Sequence, residues 1–248
     1  MKKLFITFAL TSALFSCKKE TSTSNNSGNT ITDTTKTSNQ TIGKPGPNIT
    51  DSEGNSYKTV TIGTQTWMAE NLKVSKYSDG TTIPNVTDNT QWAQLTTGAA
   101  WSYYNNDAAN NAKYGKLYNW YAVSKTSNGN KNLCLTGWHV PTDTEWTVLT
   151  DYLGGTSVAG GKMKEVGTTN WQSPNTSATN TSLFTGLPGG SRVNDGRYYD
   201  IVNYGFWWSS TELNTNIAWY RSLDEDNGSS DRSNTDKEAG LSVRCLRD

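Results

Sequence analysis

The pattern of apolar and polar residues is clearest at a strand-to-helix junction near the middle of the chain. Trp138 and Val140 stand two residues apart, as on one face of a strand, and Pro141 ends that extended segment. Thr142, followed three residues later by Glu145, predicts a capping box and therefore the start of a helix. The apolar stripe of that helix recurs at spacings of three and four and consists of Trp146, Leu149 and Leu153. We expect this junction to lie at the centre of a core.

Other segments carry weaker patterns. Alternation of apolar and polar residues predicts strands at 57–62, 66–68, 206–210, 218–223 and 240–246. In the last of these we expect Leu241, Val243 and Cys245 to point inward. Short helical segments are predicted at 117–123 and 160–164, and loops at 83–111 and 198–204.

The first residues have the pattern of an export signal. A basic start precedes an apolar run at 4–13, which is shorter than the roughly 20 residues that a membrane-spanning helix needs. We therefore expect a signal peptide at 1–16. Leu14-Phe15-Ser16-Cys17 resembles the bacterial lipobox, in which the cysteine is acylated, so Cys17 is the expected lipid anchor. The alternative is an ordinary signal peptide with an incidental cysteine.

The next segment predicts a flexible tether at 17–50. From Thr21 to Thr50 the chain is mostly Ser, Thr, Asn, Gly and Pro and has no aromatic residue, so it cannot bury enough apolar area to fold. Lys18 is not acidic, which argues against retention in the inner membrane. We expect an outer-membrane lipoprotein, exposed at the cell surface, with one folded domain at 51–248.

Composition limits the class of partner. The chain has 22 basic and 22 acidic residues, and no basic run lies outside the signal, so nucleic acid is not an expected partner. Only 33% of residues are apolar, yet all ten Trp and twelve Tyr fall after residue 51. Aromatic side chains must therefore supply much of the buried area.

Two cysteines remain after the lipobox cysteine. Cys134 and Cys245 are expected to form a disulfide in an oxidising compartment. Two alternatives stay open: a pair of buried free thiols, or a metal site with His139, although that site would lack the usual close pair of ligands.

Several sequence blocks resemble the Fibrobacter succinogenes major paralogous domain. The opening block runs from Asp51 to Leu72, and the later blocks are Tyr114–Trp120, Gly137–Thr142, Leu187–Gly190, Trp208–Ser210 and Gly240–Cys245. That family is similar to the formylglycine-generating, or sulfatase-modifying, enzymes, whose fold is a variant of the C-type lectin fold. The resemblance implies an α+β domain with a small twisted antiparallel sheet, two short helices and long loops.

The residues do not support the chemistry of the sulfatase-modifying oxidases. Those enzymes bind copper through a close pair of cysteines near the C-terminus, and residues 221–241 contain no cysteine. His139 is the only histidine and lies in the apolar junction, where a packed, hydrogen-bonded role is expected. We therefore predict no catalytic residue and no enzyme, although two carboxylates of a carbohydrate-active enzyme could still meet in space.

The C-terminal region holds the candidates for ligand binding. Tyrosine and tryptophan offer rigid contact area, and short polar side chains offer adaptable hydrogen bonds. In lectin-like folds this region forms the ligand face, and the resemblance implies the same here. The candidates are Tyr198, Tyr199, Asn203, Tyr204, Asn214, Asn216, Trp219, Asp224, Asp226 and Asn227. No cofactor is expected, but Asp224-Glu225-Asp226 could hold Ca²⁺ through oxygen ligands, the alternative being a plain solvated loop.

Together these features predict a non-enzymatic lipoprotein of the cell envelope that displays a lectin-like domain for adhesion or for binding a glycan or a protein. Three alternatives remain: a structural surface protein without a specific ligand, a binding protein diversified by a retroelement, and a carbohydrate-active enzyme. The Trp208-Ser209-Ser210 start and the Asn, Tyr, Ser and Asp content of the C-terminal stretch favour the retroelement alternative.

Overall fold

The computed structural model describes residues 40–248, which form a mixed α+β domain made mostly of sheets with a few short helices. The predicted signal peptide, Cys17 and most of the predicted tether lie outside these residues. Within the described part of the chain, no helix has both the length and the apolar character that crossing a membrane requires.

The elements are short. The strands are β1 Lys44–Thr50, β2 Ser56–Ile62, β3 Gln65–Met68, β4 Trp101–Ser102, β5 Leu117–Tyr118, β6 Trp138–His139, β7 Gly189–Arg192, β8 Tyr198–Ile201, β9 Tyr204–Glu212, β10 Ile217–Asp224, β11 Asp231–Asp236 and β12 Leu246–Arg247. The helices are α1 Asn89–Ala93, α2 Asn110–Tyr114, α3 Trp120–Val123, α4 Asp143–Tyr152 and α5 Thr156–Met163, with a 3-10 turn at Tyr104–Asn106.

Two five-stranded sheets carry the fold. The first has the order β1-β2-β3-β12-β6 and is antiparallel throughout. The second has the order β11-β10-β9-β7-β8, and only the β7–β9 pairing, Gly190 opposite Gly205, is parallel. Leu246 pairs with both Trp67 and His139, so the last strand joins the first hairpin to the central junction.

The central junction is built as the sequence predicts. The Thr142 side chain accepts a hydrogen bond from the Glu145 amide, and the Glu145 carboxylate accepts one from the Thr142 amide, which completes the capping box. The stripe residues Trp146, Leu149 and Leu153 are fully buried. The ring centres of Trp146 and Trp67 lie 4.7 Å apart, so helix α4 packs directly on the first sheet.

The disulfide is also confirmed. Cys134 and Cys245 are bonded and fully buried, with their Cα atoms 6.0 Å apart. The pairing rules out the two alternatives, free thiols and a cysteine metal site. Leu241, Val243 and Cys245 all point into the core, as predicted.

The segment before β12 is not the continuous strand that the alternation predicts. Its backbone pairs with different partners in turn: Leu241 with Tyr118, and Ser242 with Trp207. Farther on, the carbonyl of Val243 accepts a hydrogen bond from the Leu72 amide. Because its residues bond to different elements in turn, the segment 240–245 forms a seam through the core. Only the strand that follows it, β12, forms a regular ladder.

The tether ends earlier than predicted. Residues Lys44–Thr50 pair with β2, with Pro45 opposite Val60, instead of remaining a flexible segment. Proline is tolerated there because β1 is an edge strand of its sheet. The Thr59 hydroxyl also donates a hydrogen bond to the Pro47 carbonyl, and a Cβ on Gly46 would lie 2.4 Å from the oxygen of that hydroxyl. Such contacts between neighbouring strands leave no periodic pattern in a polar sequence, so the sequence does not predict β1.

Other local predictions need correction. Residues 117–123 form strand β5 followed by helix α3, because the Asn119 side chain caps the helix and ends the strand before it. Residues 198–204, predicted as a loop, form β8 and the start of β9. Strand β11 was not predicted, since its sequence has no apolar alternation. The loop predicted at 83–111 contains short elements, namely α1, β4, the 3-10 turn and the start of α2.

Buried cations stacked on aromatic rings help to fill the core. The Arg244 guanidinium lies 4.0 Å from the Phe184 ring centre and donates a 2.9 Å hydrogen bond to Asn71 Oδ1. Burial lowers the pKa of Arg244 to about 9. The Arg192 guanidinium lies 4.1 Å from the ring centre of Trp92. Such arginine–aromatic pairs allow a chain with few aliphatic residues to fill its core.

Candidate functional site

The ten candidates from the sequence do not form one site. Strands β9 and β10 pair antiparallel with Tyr204 opposite Asp224, which brings five candidates together at one end of the hairpin. These five are Asn203, Tyr204, Asp224, Asp226 and Asn227. Asn214 and Asn216 lie in the turn at the other end, roughly 25 Å away at about 3.3 Å per residue. The other three candidates are on β8 and in the middle of β10.

At the end of the hairpin where Tyr204 lies opposite Asp224, the polar atoms mostly form hydrogen bonds with each other. The Asp224 carboxylate accepts hydrogen bonds from the Asp226 amide at 2.8 Å and from Asn227 Nδ2 at 3.0 Å. Asn227 Oδ1 accepts bonds from the Ser229 amide and hydroxyl. Asn203 Nδ2 donates to Glu225 Oε1 at 2.7 Å. These groups therefore hold the loop in shape, and few of their polar atoms remain for a ligand.

A buried lysine lies beneath this loop. The Lys164 ammonium donates hydrogen bonds to the carbonyls of Thr176, Asp224 and Asn227 at 2.8, 2.6 and 2.7 Å. Burial lowers the pKa of Lys164 to about 8, and the carboxylate of Asp224 opposes that shift. The loop is thus anchored to the end of helix α5 by one internal cation.

The candidates on the strands differ in exposure. The Tyr198 hydroxyl donates to Asn106 Oδ1 at 2.8 Å, and burial raises the pKa of this tyrosine. The Trp219 ring is half-buried, with the Arg232 guanidinium 3.3 Å from the ring centre. Tyr199 is 38% exposed. Of these three, Tyr199 offers the most free surface.

The hairpin turn is also shaped by its own side chains. Asn214 Oδ1 accepts hydrogen bonds from the amides of Asn216 and Ile217 at 2.9 and 3.2 Å. Asn216 itself is exposed. Asn214 therefore stabilises the turn, and Asn216 is the member of this pair that a ligand can reach.

A cavity of about 640 Å³ opens at the central strand-to-helix junction. Its apolar side chains are Trp120, Val123 and Val140. Its polar lining includes Ser124, Thr126, Asn132, His139, Thr142 and Ser210, and charged side chains come from Lys125, Glu212 and Asp248. Sites for small ligands commonly combine an apolar lining with a few polar groups in a volume of about 300–1,000 Å³.

His139 forms part of the cavity wall and joins two elements. Its Nδ1 lies 2.6 Å from Asp248 Oδ1, and its Nε2 lies 3.0 Å from Glu145 Oε1. The side chain is 25% exposed, so it is hydrogen-bonded, as expected, but not fully packed. Because both nitrogens face carboxylates, neither is positioned to take a proton from a nearby hydroxyl.

Several polar atoms around the cavity are not used by the fold. The Ser210 hydroxyl and the Lys125 ammonium have no hydrogen-bond partner within residues 40–248, and the same holds for Asp248 Oδ2. Glu212 uses one oxygen to bind Lys237 Nζ at 2.7 Å, and its Oε1 is unpaired among the same residues. A ligand in this cavity would find both donors and acceptors.

Sequence reasoning missed this cavity because its residues are far apart in the chain. The sequence pattern places His139 in the apolar junction and Ser210 in a strand, and neither position indicates a cavity. A usable signal was present, since both polar residues lie inside the sequence blocks Gly137–Thr142 and Trp208–Ser210. Polar side chains within such blocks point to a site as well as to packing.

Residues 60–247 match the sequence model of the Fibrobacter succinogenes major domain family. No curated protein and no solved structure matches the chain. The matched region runs from within β2 to the end of β12, so it includes the disulfide, the C-terminal loops and every cavity-lining residue except Asp248.

Proposed function

We propose a function for this chain, which belongs to the Fibrobacter succinogenes major domain family. The protein is a lipoprotein of the cell envelope that displays a lectin-like domain at the surface and binds a ligand without turning it over. The observation that carries the binding function is the junction cavity, with its apolar lining and unused polar atoms.

The anchor rests on the sequence around Cys17. More than one acyl chain on this cysteine would hold the protein stably, because each buried methylene contributes about 0.8 kcal/mol. The serine and threonine-rich segment that follows would hold the folded domain away from the membrane.

The anchor is tested by labelling cells with a radioactive fatty acid. The wild-type chain and a Ser16→Ala variant are expected to take up label and to fractionate with the outer membrane. Cys17→Ser is expected to take up none. Protease added to whole cells should then remove the domain. Unlabelled wild-type protein, or protein protected from the protease, would contradict the surface lipoprotein.

A C-type lectin-like arrangement is supported by several features. The domain has two five-stranded sheets and one two-stranded sheet formed by β4 and β5, its two longest helices are adjacent in the chain, and a disulfide ties a loop cysteine to the closing segment. Much of its length between β3 and β7 is loop. We propose this fold as the reason that loop residues join residues at element ends, such as Ser210 on β9, in carrying the binding groups.

The cavity favours a neutral ligand that has many hydroxyl groups. The carboxylate of Glu212 is paired with Lys237, and the remaining charged groups of the lining, Lys125 and Asp248, have opposite signs, so the opening does not favour a strongly charged ligand of either sign. The apolar lining suits the C–H face of a sugar ring, and the unpaired donors and acceptors suit its hydroxyls. A glycan is therefore the ligand class that the cavity supports best.

An array of neutral and charged saccharides tests this function. We expect the purified protein to bind a subset of the neutral ones and to leave them chemically unchanged on prolonged incubation. Product formation that stops after one carboxylate is replaced would show a carbohydrate-active enzyme instead. Silence on glycan arrays and in pull-downs would favour a structural surface protein.

A further inference from the structure

The acidic loop Asp224-Glu225-Asp226 contains an unsatisfied oxygen. Glu225 is only 7% exposed, and its Oε2 is buried with no hydrogen-bond partner in the described part of the chain. Its other oxygen accepts from Asn203 Nδ2. A buried carboxylate oxygen without a partner bears the full loss of its hydration, so such a group calls for an explanation, such as a bound ion.

The neighbouring lysine does not provide that partner. An ammonium has three hydrogens, and those of Lys164 are committed to the carbonyls of Thr176, Asp224 and Asn227. The carboxylates of Asp224, Glu225 and Asp226 therefore face only one positive charge, that of Lys164. The Lys164 ammonium donates no hydrogen bond to Glu225 Oε2. The loop has an excess of negative charge that the described residues do not neutralise.

From this arrangement we infer that Asp224, Glu225 and Asp226 bind a Ca²⁺ ion, which Glu225 Oε2 contacts. One ligand oxygen from each of the three residues lies within 4.8 Å of the others. Two oxygens on the same Ca²⁺ can lie up to about 5 Å apart, because each bond is about 2.4 Å long. To bind Mg²⁺, the same oxygens would have to move to within about 4 Å of one another, because Mg²⁺–oxygen bonds are shorter. Mg²⁺ also retains more of its bound water.

The loop is held in place before any ion binds. The Thr176 amide donates to the Glu225 carbonyl at 2.7 Å, and the Glu225 amide donates to the Asn203 carbonyl at 3.1 Å. Helix α5 lies directly against the loop, since a Cβ on Gly160 would come within 1.7 Å of the Ser229 carbonyl oxygen. A preorganised site loses less entropy on binding.

This inference goes beyond the proposed function and does not use the cavity. Asp224 pairs with Tyr204 at the start of β9, whereas Ser210 and Glu212 lie at its far end, roughly 20 Å away at about 3.3 Å per residue. Ion binding and ligand binding can therefore succeed or fail separately.

The test measures thermal unfolding of the full chain after chelation with EDTA and its removal. Extracellular Ca²⁺ sites have dissociation constants of about 0.1–1 mM, so the titration extends to about 10 mM. We expect Ca²⁺ to raise the Tm of the wild-type protein by about 3–6 °C and Mg²⁺ to raise it much less. Glu225→Gln keeps the shape of the side chain and should abolish the rise.

Two further variants complete the design. Asp195→Asn removes an acid from an exposed turn outside the loop and should keep the full response. Asp226→Asn changes an exposed member of the cluster and should weaken Ca²⁺ binding about tenfold even if Glu225→Gln fails to fold. An absent rise in the wild type, an equal rise in all variants, or an equal response to Mg²⁺ would overturn the inference. The first of these outcomes would leave Lys164 as the only cation of the loop.

Discussion

His139 shows how one side chain can stabilise two parts of the chain that are distant in sequence. It bonds to Asp248 in the C-terminal segment and to Glu145 in the first turn of α4. Glu145 also closes the capping box through its other oxygen, which accepts from the Thr142 amide at 2.8 Å. The imidazole therefore couples the closing segment to the start of the helix.

Replacing His139 by Gln is expected to lower the free energy of unfolding by about 1 kcal/mol. Hydrogen bonds to charged groups contribute about 1.5–3 kcal/mol, and partial exposure reduces that value. Urea unfolding of His139→Gln, Asp248→Asn and the double variant measures the coupling. Strictly additive effects would mean that the pair contributes nothing, which would contradict the bridging role.

Lys164 predicts an unusual dependence of stability on pH. Its pKa is about 8 in the folded protein and about 10.4 in an unfolded chain, so the unfolded state binds more protons between these values. Stability should therefore rise with pH across this window. The buried tyrosines act in the opposite sense only above about pH 10, because burial raises their pKa values.

Between pH 8 and 9.5 we expect a gain of about 1–2 kcal/mol in the free energy of unfolding. Urea titrations at closely spaced pH values measure this gain. In Lys164→Met the slope should become smaller, the rest coming from buried Arg244 with its pKa of about 9, whereas Lys162→Met, which changes a partly exposed lysine of the same helix, should keep the wild-type slope. A wild-type stability that falls over this range would contradict the assigned environment of Lys164.

At the scale of the elements, sequence patterns predicted the parts of the fold that bury one apolar face. The β2–β3 hairpin, β9, β10 and the capped start of α4 all carry such a pattern, and all are present. Strands β1 and β11 are polar edge strands, so their pairing depends on a partner and leaves no periodic signal. The loops at 83–111 and 164–188 are fixed by side chain-to-backbone hydrogen bonds that only coordinates reveal, such as that from Asn119 Nδ2 to the Gly98 carbonyl.

The site was predicted less well than the fold for a related reason. Asn203, Tyr204 and Asp224 do converge, because hairpin pairing brings the ends of β9 and β10 together. Composition could not show that their polar atoms bond within the loop. The cavity depends on five separate segments, and no local pattern predicts such an assembly.

The disulfide is the element-scale feature with the clearest energetic prediction. It joins residues 111 positions apart and ties the seam before β12 to the loop that holds Cys134. Replacing both cysteines by alanine should lower the free energy of unfolding by about 2–5 kcal/mol. Urea unfolding with Cys17 intact measures the change, and a loss below about 1 kcal/mol would contradict a structural role.

At the scale of the whole molecule, the core and the cavity share residues, since Trp120, Val123 and Val140 pack in the core and also line the cavity. Buried cations, tryptophans and the disulfide stabilise the interior. Most polar atoms of the C-terminal loops form hydrogen bonds within those loops. In the junction cavity, the Ser210 hydroxyl and other polar atoms remain unpaired among residues 40–248 and lie near apolar side chains. The proposed binding function therefore depends on this cavity.

Isothermal titration of a saccharide identified on the array tests that claim most directly. Ser210→Leu places a bulky apolar side chain in the cavity, whereas Tyr199→Ala trims the exposed aromatic ring on β8. We predict that Ser210→Leu weakens binding at least about tenfold, a loss of about 1.4 kcal/mol, while Tyr199→Ala, still folded, leaves it unchanged. Binding that survives Ser210→Leu and is lost in Tyr199→Ala would contradict the cavity and return recognition to the C-terminal surface.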